Sequence, residues 1–484
     1  MIDYITLNPS DVLPAMEAEQ MRKLLDVYSF HAGKNEEKEK YYEGHISLAE
    51  VNLGIALPEG IRKLEIGCEW GGKCVDVLAA RSMFDGFVGS DGTGADAMNT
   101  IMDANRLKTE YMKACRDELK FGTTFATLSA DPKAGCRIRF HSPQTAAALW
   151  SGEKGRIECG MAIIDSRYDE SDKTWHPSVI NYYNASAVWT LRRVSGSQWT
   201  AQHYPNKMGR PLMEPLIWNP TSAKPFGRSR IKEPVRRLIQ GYVRTIANAT
   251  IGLEFATAPQ KYLLGVTDDQ YDVLINQKFR QYVGSLIAAT ANPETGQNPV
   301  FGQLTQGSIE PHVQMIRLLA TQFSAATGLP VTDTGVINDA NPSSSDAILA
   351  QTQTLVTMAE QLNSANGDAL HMIALMSQAI ANNTTLEELT PEQTDVIAHF
   401  KNPAMPSVAA TTDAATKLAS VREGFGETDV FLEMCGFDQA DIRRIRAQEA
   451  RARGTAILSE EFTENENNSE SMGGVQEETV GGEP

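Results

Sequence analysis

The spacing of hydrophobic residues predicts two long helices in the N-terminal part of the chain. Apolar residues recur at intervals of three and four, as on one face of a helix, after the capping residues Ser10 and Asp11 and again over residues 96–119. We expect the first helix to end near Gly33 and the charged run 34–40 to form a solvated turn. The inward residues predicted for the second helix are Ile101, Leu107, Met112 and Cys115.

Between residues 123 and 218 the hydrophobic period changes to two, which is typical of half-buried β-strands. The predicted strands are residues 137–140, 160–164, 178–183, 187–191 and 199–203. Polar turns separate several of them. We therefore expect an antiparallel β-rich module that packs one face on the preceding helix.

Two helices dominate the next part of the chain. The first is predicted over residues 231–258, with Pro234 in its first turn, where a missing amide is harmless. Its predicted apolar stripe consists of Val235, Leu238, Tyr242, Ile246, Ala249 and Leu253. The second is predicted over residues 309–327, between Ser308 and Gly328. Strands at 262–265 and 299–304 and a short helical stretch over 269–290 are expected between the two helices.

A loop rich in Gly, Pro, Asn, Asp and Ser spans residues 328–345. Loops of this length without structure of their own are usually functional or disordered. The loop contains acidic residues and no Lys or Arg, so it would meet a phosphate backbone without releasing counterions and would not bind it tightly. From spacing alone, an ordinary surface loop is the simpler interpretation.

A long third helix is predicted to begin near Ser345, with a break at Asn366 and Gly367 before it resumes to about Ala381. Two further helices are predicted over residues 409–422 and 439–453. Residues 460–484 carry several glutamates and no Lys or Arg. Such a segment cannot bury enough apolar surface to order itself, so we expect it to be disordered.

Composition and charge narrow the class of protein. The 484 residues are 42% hydrophobic and 22% charged, which is typical of a folded protein with two or three modules. The net charge of −17 argues against a protein that grips nucleic acid with its whole surface. Six scattered cysteines without a C-x-x-C pair fit reduced thiols, and we see no signal peptide or membrane-spanning run. We expect a protein made and used in the cytoplasm, or in a particle assembled there.

One stretch matches the spacing of a nucleotide-binding loop. Residues 67–74 fit the pattern G-x-x-x-x-G-K and follow a possible strand. Cys74 stands where such a loop needs a hydroxyl for magnesium, and the surrounding chain lacks the alternation of a parallel sheet. A nucleotide-binding protein that uses Lys73 is therefore an alternative only. Because no hydrolase motif or metal-ligand spacing of histidines occurs, we expect no catalytic residue, no metal and no cofactor.

Short motifs spread over most of the chain occur in a fixed order and spacing. The N-terminal motifs are Tyr41-Tyr42-Glu43-Gly44, Trp70, Val75-Asp76, Arg81, Gly86-Phe87 and His141-Ser142-Pro143. The later motifs are Met208-Gly209-Arg210-Pro211, Asn219, Phe226-Gly227-Arg228-Ser229, Ala258-Pro259-Gln260-Lys261, Thr327-Gly328-Leu329-Pro330 and Pro342-Ser343-Ser344-Ser345-Asp346-Ala347-Ile348. Each motif is short, but in their order and spacing together they resemble portal proteins of tailed double-stranded DNA bacteriophages, of the siphovirus type found with Gram-positive hosts.

The resemblance implies a mixed α/β (α+β) subunit of a portal ring, usually of twelve copies, at one vertex of the capsid. By position it implies a wing over residues 1–225, a first stem helix over 226–258 and a clip over 259–307. It further implies a second stem helix over 308–327, a tunnel loop over 328–345 and a long wing helix region over 346–405. Crown helices over 406–458 and the disordered acidic tail over 459–484 complete the layout.

The resemblance also implies functional residues and partners. The tunnel-loop residues expected to face DNA are Thr332, Asp333, Thr334, Asn338, Asp339 and Asn341, the stem residues are Arg236, Arg237 and Arg244, and the clip residues are Tyr262, Lys278 and Arg280. The implied partners are further copies of the chain, the terminase large subunit, a head-completion or adaptor protein, the major capsid and scaffolding proteins, and double-stranded DNA in the channel, with no membrane. The family performs no catalysis, since ATP hydrolysis belongs to the terminase. The second alternative is another capsid-associated protein, such as a minor head or adaptor protein.

Overall fold

The computed structural model describes residues 5–47, 65–89, 95–257, 261–265, 296, 298, 300–303, 308–336, 345–404, 408–438 and 441–455. The helices are α1 (Ala15–Tyr42), α2 (Trp70–Ala79), α3 (Asp96–Ala104), α4 (Leu107–Phe121), α5 (Glu233–Thr257), α6 (Glu310–Thr327), α7 (Ser345–Ala381), α8 (Pro391–Thr394), α9 (Val408–Val421), α10 (Asp429–Met434) and α11 (441–455). The strands are β1 (His45–Ser47), β2 (Glu65–Gly67), β3 (Phe84–Val88), β4 (Thr123–Asp131), β5 (Gly135–His141), β6 (Ala146–Ser151), β7 (Arg156–Asp169), β8 (Thr174–Tyr183), β9 (Ala187–Ser195), β10 (Gln198–Pro205), β11 (Met213–Ile217), β12 (Lys261–Leu264), β13 (Val300–Gln303) and β14 (Ile397–Phe400). The expected mixed α/β fold is confirmed.

The β-rich module consists of two antiparallel sheets. One has the strand order β10-β9-β8-β7-β6 and the other β11-β4-β5. The five predicted strands lie within β5, β7, β8, β9 and β10. The strands β4, β6 and β11 were missing from the prediction; in β4 the first six residues are all buried, so no alternation is visible. The three-stranded sheet packs on the preceding helix α4, as expected, whereas the five-stranded sheet packs on α1.

Helix α1 does not end near Gly33, so that prediction was wrong. The helix continues to Tyr42 through the charged run 34–40. This run consists mostly of Lys and Glu, which form helices readily. Part of it also packs on the protein: Asn35 is buried, and the Lys38 ammonium donates to the carbonyl of Phe121 at 3.1 Å.

The helix predicted over residues 96–119 is two helices, because the chain turns at Asn105 and Arg106. Arg106 adopts a left-handed conformation with φ of 51°. The Asn105 side chain bonds strand β5, donating to the carbonyl of Cys136 at 2.8 Å and accepting from the amide of Ile138 at 2.9 Å. Of the four residues predicted to face inward, Met112 is 49% exposed and the other three are buried.

Helix α7 is continuous, so the break predicted at Asn366 and Gly367 was also wrong. Asn366 is fully buried, and its amide nitrogen donates to the Tyr111 hydroxyl at 2.9 Å and to the Glu118 carboxyl at 2.8 Å. These bonds join α7 to α4 through the largest hydrophobic cluster of the described residues. Burial raises the pKa of Glu118 to about 8, so this carboxyl is mostly protonated at neutral pH.

The two helices predicted over residues 231–258 and 309–327 correspond to α5 and α6. The strands predicted at 262–265 and 299–304 form an antiparallel ribbon of β12 and β13. The helices predicted over 409–422 and 439–453 correspond to α9 and α11, with residues 439–440 outside the described residues. The helical stretch predicted over 269–290 and the acidic tail also lie outside them. None of the described helices combines the length and the apolar character needed to cross a membrane.

Replacing the buried carboxyl should change how stability depends on pH. The folded-state pKa of Glu118, about 8, lies above its usual value of 4.5, so its contribution to stability is present at pH 4.5 and below and is lost as pH rises towards 8. We expect Glu118→Gln to unfold like the parent chain at pH 5 and to be more stable at pH 7, by as much as about 3 kcal/mol. Urea unfolding at both pH values measures this difference.

A matched control is Glu110→Gln on the same helix, where the carboxylate pairs with Lys113 at the surface. This change should leave the pH dependence of the parent chain intact. Equal effects of the two substitutions at pH 7 would contradict the assignment of a buried, protonated Glu118.

Candidate functional site

Helices α5 and α6 pack against each other along most of their described length. The buried hydrophobic residues of α5 recur every fourth position and are Val235, Ile239, Val243 and Ala247, while α6 contributes Leu319, Ala320 and Phe323. Gly241 allows a close approach, because a Cβ there would lie 3.2 Å from Cδ2 of Leu319. The apolar stripe predicted for α5 is therefore correct at Val235 and displaced elsewhere. Leu238, Tyr242, Ile246 and Ala249 of that stripe are half-buried, and Leu253 is exposed.

The outer surfaces of these helices expose apolar side chains that nothing in the described residues covers. On α6 these are Val313, Met315 and Leu318, and on α5 it is Leu253. Between residues 311 and 327, Arg317 is the only Asp, Glu, Lys or Arg. The outer surface of α6 is therefore hydrophobic with little charge, which is typical of a surface that meets another protein.

Trp70 holds the start of the loop that follows α6. Its ring lies between Tyr242 of α5 and Phe323 of α6, with centroid distances of 4.5 and 4.9 Å. Its indole nitrogen donates to the backbone carbonyl of Thr334 at 3.1 Å in a buried hydrogen bond. The first residues of the loop, Val331–Thr334, form a 3-10 turn, so the prediction of a loop without structure was wrong for this part.

The tunnel-loop residues predicted to face DNA divide into three groups. Thr332 is exposed and Asp333 is half-buried. Thr334 is buried, and its hydroxyl donates to the carbonyl of Val331 at 2.6 Å, so its side chain faces the protein and the prediction for it was wrong. Asn338, Asp339 and Asn341 lie outside the described residues.

Arg230 is a buried cation at the start of α5. Its guanidinium donates to the carbonyl of Thr327 at 2.7 Å and also to the carbonyl of Cys74. It further contacts the sulfur of Met358 at 3.6 Å, and it lies 5.6 Å from the Trp218 ring. No carboxylate within the described residues pairs with it, and burial lowers its pKa from the usual value.

The surroundings of Arg230 explain how this charge is tolerated. Thr327 is the last residue of α6, where the carbonyls of a helix carry partial negative charge and a cation is stabilised. Arg230 was not among the functional residues predicted from the sequence. The available signal was an arginine directly after the Phe226-Gly227-Arg228-Ser229 motif, before a helix that begins at Glu233.

The predicted stem and clip residues differ in their contacts. Arg236 is half-buried and pairs with Glu37 of α1 at 3.1 Å, whereas Arg237 is exposed and pairs with Glu233 at 3.3 Å. Arg244 is half-buried. Tyr262 is exposed on β12, with its ring over Gly302 of β13, where a Cβ would lie 2.3 Å from the ring carbon Cζ. Lys278 and Arg280 lie outside the described residues.

Residues 67–74 do not form a phosphate-binding loop. Gly71 and Gly72 lie within the first turn of α2, and strand β2 pairs antiparallel with β1. A Cβ at Gly71 would lie 1.8 Å from the carbonyl oxygen of Tyr41, so this glycine allows α2 to pack on the end of α1. Cys74 is fully buried. The glycines therefore serve helix packing, and the nucleotide-binding alternative loses its structural basis.

Three potential metal ligands meet at the β7–β8 hairpin, although no spacing in the sequence indicated it. Ligand atoms of Asp169, Asp172 and His176 lie within 4.8 Å of one another. Asp172 accepts from the Thr174 hydroxyl at 2.7 Å, from His176 at 2.6 Å and from the Thr174 amide at 3.0 Å, and these bonds lower its pKa. Both aspartates are exposed, and the hairpin turn by itself accounts for the arrangement.

Comparison with known proteins supplies the context for these surfaces. The family model described as phage portal protein, SPP1 Gp6-like, matches residues 23–455. The portal protein of Mycobacterium phage D29 is 21% identical over 420 residues, which is 84% of each chain. The portal protein of Mycobacterium phage L5 is 22% identical over 384 residues, covering 77% of this chain and 76% of that protein.

Solved structures of gene transfer agent particles are also similar. A chain from the neck of the empty particle, computed with C6 symmetry, matches with a TM-score of 0.45 and 12% identity, covering 76% of this chain and 90% of that one. A chain from the virion of the native particle matches with a TM-score of 0.43 and 11% identity, covering 74% of this chain and 87% of that one.

Substituting Arg230 by lysine should destabilise the protein although the charge is kept. A single ammonium cannot replace a planar guanidinium that reaches the carbonyls of Cys74 and Thr327 together. We expect Arg230→Lys to lower the free energy of unfolding by about 2 kcal/mol. Urea unfolding at fixed protein concentration measures it. The control Arg237→Lys alters an exposed ion pair and should have little or no effect; an equal loss in both would contradict the role of Arg230.

Substituting Trp70 by phenylalanine tests the hydrogen bond that holds the loop. The change keeps an aromatic ring between Tyr242 and Phe323 but leaves the Thr334 carbonyl without its donor. The matched control is Trp189→Phe, because the indole nitrogen of Trp189 has no hydrogen-bond partner within the described residues. We expect Trp70→Phe to cost about 1–2 kcal/mol more than the control in urea unfolding. Similar losses in the two variants would show that the bond to Thr334 contributes nothing.

Proposed function

Since the chain belongs to the SPP1 Gp6-like family of phage portal proteins, which are virion components, we propose that its copies close into a ring through which double-stranded DNA is packaged and later ejected. The observation that carries the proposal is the exposed apolar surface of α5 and α6, the two helices assigned to the stem. We assign the regions of the ring subunit as the wing over 1–225 and 346–405, the stem over 226–258 and 308–327, the clip over 259–307 and the crown over 406–458.

Ring closure would cover the apolar positions that the isolated chain leaves open. A closed ring gives each subunit two unlike faces that meet head to tail. Leu318 and Met315 on α6 and Leu253 on α5 are exposed on different helices and so can supply two such faces. Twelve copies is the number usual in this family, and we propose it for this ring.

The channel surface would guide DNA without gripping it. Apart from Arg317, the helix from 311 to 327 carries no Asp, Glu, Lys or Arg. The loop from 328 to 345 has acidic residues and no cation. A surface of this kind offers few cations to replace the counterions of the duplex, so DNA can slide past it. We propose that Thr332 and Asp333 face the channel near the start of the loop. We propose the same for Asn338, Asp339 and Asn341 in the rest of the loop.

The clip is proposed to dock other components of the particle. The β12–β13 ribbon exposes the apolar residues Tyr262, Leu264, Val300 and Phe301. A two-stranded ribbon with exposed apolar side chains is only marginally stable in water by itself, so it favours a partner. We propose the terminase large subunit during packaging and a head-completion or adaptor protein afterwards. Contacts with the major capsid and scaffolding proteins belong to the same proposal, as does a position at the capsid vertex after assembly in the host cytoplasm.

We propose that the protein has no enzymatic activity of its own. The packing role of Gly71 and Gly72 supports this, because it removes the loop that Lys73 would need to bind a nucleotide. ATP binding that disappears in Lys73→Ala would overturn this part of the proposal. Images of the purified protein distinguish a portal from a minor head or adaptor protein, since a portal ring shows a central hole.

A charge on the outer surface of α6 should prevent ring closure. Leu318→Glu would place a carboxylate in the apolar contact between subunits, where it lacks water and a partner. We expect the variant to remain folded by circular dichroism and to be monomeric by light scattering, while the parent chain forms rings.

Val194→Glu introduces the same charge at another exposed position, on the five-stranded sheet. This control should still form rings. If Leu318→Glu assembles as the control does, α6 is not part of the subunit contact. If the parent chain is a monomer at high concentration, the ring itself is refuted.

A further inference from the structure

Helix α11, residues 441–455, is a basic element in an acidic protein. It contains five arginines and two acidic residues, a net charge of +3, whereas the whole chain carries −17. Lys and Arg together make up 44 of 484 residues, about one in eleven, but arginine alone makes up five of the fifteen residues of this helix. The arginines are Arg443, Arg444, Arg446, Arg451 and Arg453.

One of these arginines holds the helix to the protein. The Arg446 guanidinium donates to the carboxylate of Asp429 at 2.7 Å and to that of Glu449 at 2.9 Å. Both bonds raise its pKa, and the bond to Asp429 connects α11 to α10. Ile442 is buried on the same helix. The bond from Arg446 to Asp429 and the buried Ile442 therefore fix one side of α11 to the protein, and the other side remains exposed.

Three arginines of α11 are exposed, and two of them lie on a face away from that contact. Arg444, Arg451 and Arg453 are exposed, and Arg444 and Arg451 lie seven residues apart, which places them on one face. Arg444 pairs with Asp441 at 3.2 Å, but both side chains are largely exposed, so this pair holds the guanidinium weakly. The exposed residues between them include Ala447, Ala450 and Ala452, whose short side chains leave the guanidinium groups accessible.

The chemistry of this surface fits a phosphate backbone. Guanidinium groups bind phosphate oxygens through two parallel hydrogen bonds, and a row of them exchanges for the counterions of a duplex. DNA is the polyanion that the proposed function brings to the ring. We propose that helix α11 is a second DNA-contacting surface, which binds the phosphate backbone without sequence preference while the stem and tunnel loop let the duplex slide. This inference rests on the proposed portal function.

A competing occupant is the acidic end of the same chain. Residues 460–484 contain eight glutamates and no Lys or Arg, and they begin five residues after the last residue of the helix. The duplex is favoured because it carries one charge per about 1.7 Å and releases condensed counterions on binding. Eight glutamates over 25 residues have neither that charge density nor that source of free energy.

The test compares two full-length triple variants. The first is Arg444→Gln, Arg451→Gln and Arg453→Gln. The second is Lys133→Gln, Lys154→Gln and Lys224→Gln, which removes the same charge from exposed turns elsewhere. Binding of a fluorescent 30-base-pair duplex, about three helical turns long, is measured by anisotropy between 50 and 200 mM salt, with two unrelated sequences.

We expect the arginine variant to bind at least about tenfold more weakly at 50 mM salt, equally for both sequences. Each phosphate contact contributes about −0.9 to the slope of log K plotted against the logarithm of the salt concentration. Losing three contacts should therefore make this slope shallower by up to about 2.7 for each subunit that touches the duplex. The lysine variant should bind as the parent chain does. Light scattering on each variant reports whether rings form.

The outcomes separate the two proposals. If the parent chain forms no ring, the proposed function fails. If rings form and the arginine variant binds DNA like the parent chain, the inference about α11 fails and the portal function stands. A further full-length variant with the glutamates of 460–484 changed to glutamine tests the competing occupant. If the arginine substitutions weaken binding only in that background, the acidic segment covers α11 in the intact protein and the inference is overturned.

Discussion

The buried guanidinium of Arg230 is the constraint on which the arrangement of helices α2, α5 and α6 depends. It donates to the carbonyl of Cys74 in helix α2 and to that of Thr327 at the end of α6, and it stands just before α5 begins. A cation without a carboxylate is costly to bury unless its hydrogen bonds are satisfied. Here the helix end supplies the negative partial charge, so the position of α6 relative to α2 is held by a bond that few other geometries satisfy. Trp70 of α2 adds to this, because its ring lies between Tyr242 of α5 and Phe323 of α6.

Much of the fold follows from hydrophobic spacing, and the failures have physical causes in particular residues. The five strands and helices α5 and α6 were predictable, because their hydrophobic patterns repeat over neighbouring residues. The break expected at Asn366 was wrong because partners more than 200 residues away, Tyr111 and Glu118, satisfy its side chain inside the core. The end expected at Gly33 was wrong because the charged run after it packs on the protein. Distant contacts of this kind leave no periodic signal in the sequence.

The helices and the loop of the candidate site were predictable from the sequence, but the contacts that hold them in place were not. The two helices and the loop between 328 and 345 stood out by spacing and composition. Neither the burial of Thr334 nor the role of Arg230 could be read from them, since both depend on where α2 lies in space. The motif at residues 67–74 illustrates the same limit, because glycine spacing that fits a phosphate loop serves close packing of α2 on Tyr41. A glycine in the sequence indicates where another group can come close, but it does not indicate whether that group is a phosphate or a neighbouring helix.

The distribution of charge is consistent with a protein that must pass a polyanion without holding it everywhere. An overall negative charge and a nearly uncharged α6 both reduce attraction to phosphate. If the whole channel were basic, every base pair would have to break many ionic contacts to advance. If no surface were basic, nothing would oppose free slippage except the loop. The proposed contact through the arginine-rich helix α11, which Arg446 fixes to α10, would resolve this conflict, because the strongest ionic contact with DNA would then be limited to one level of the ring.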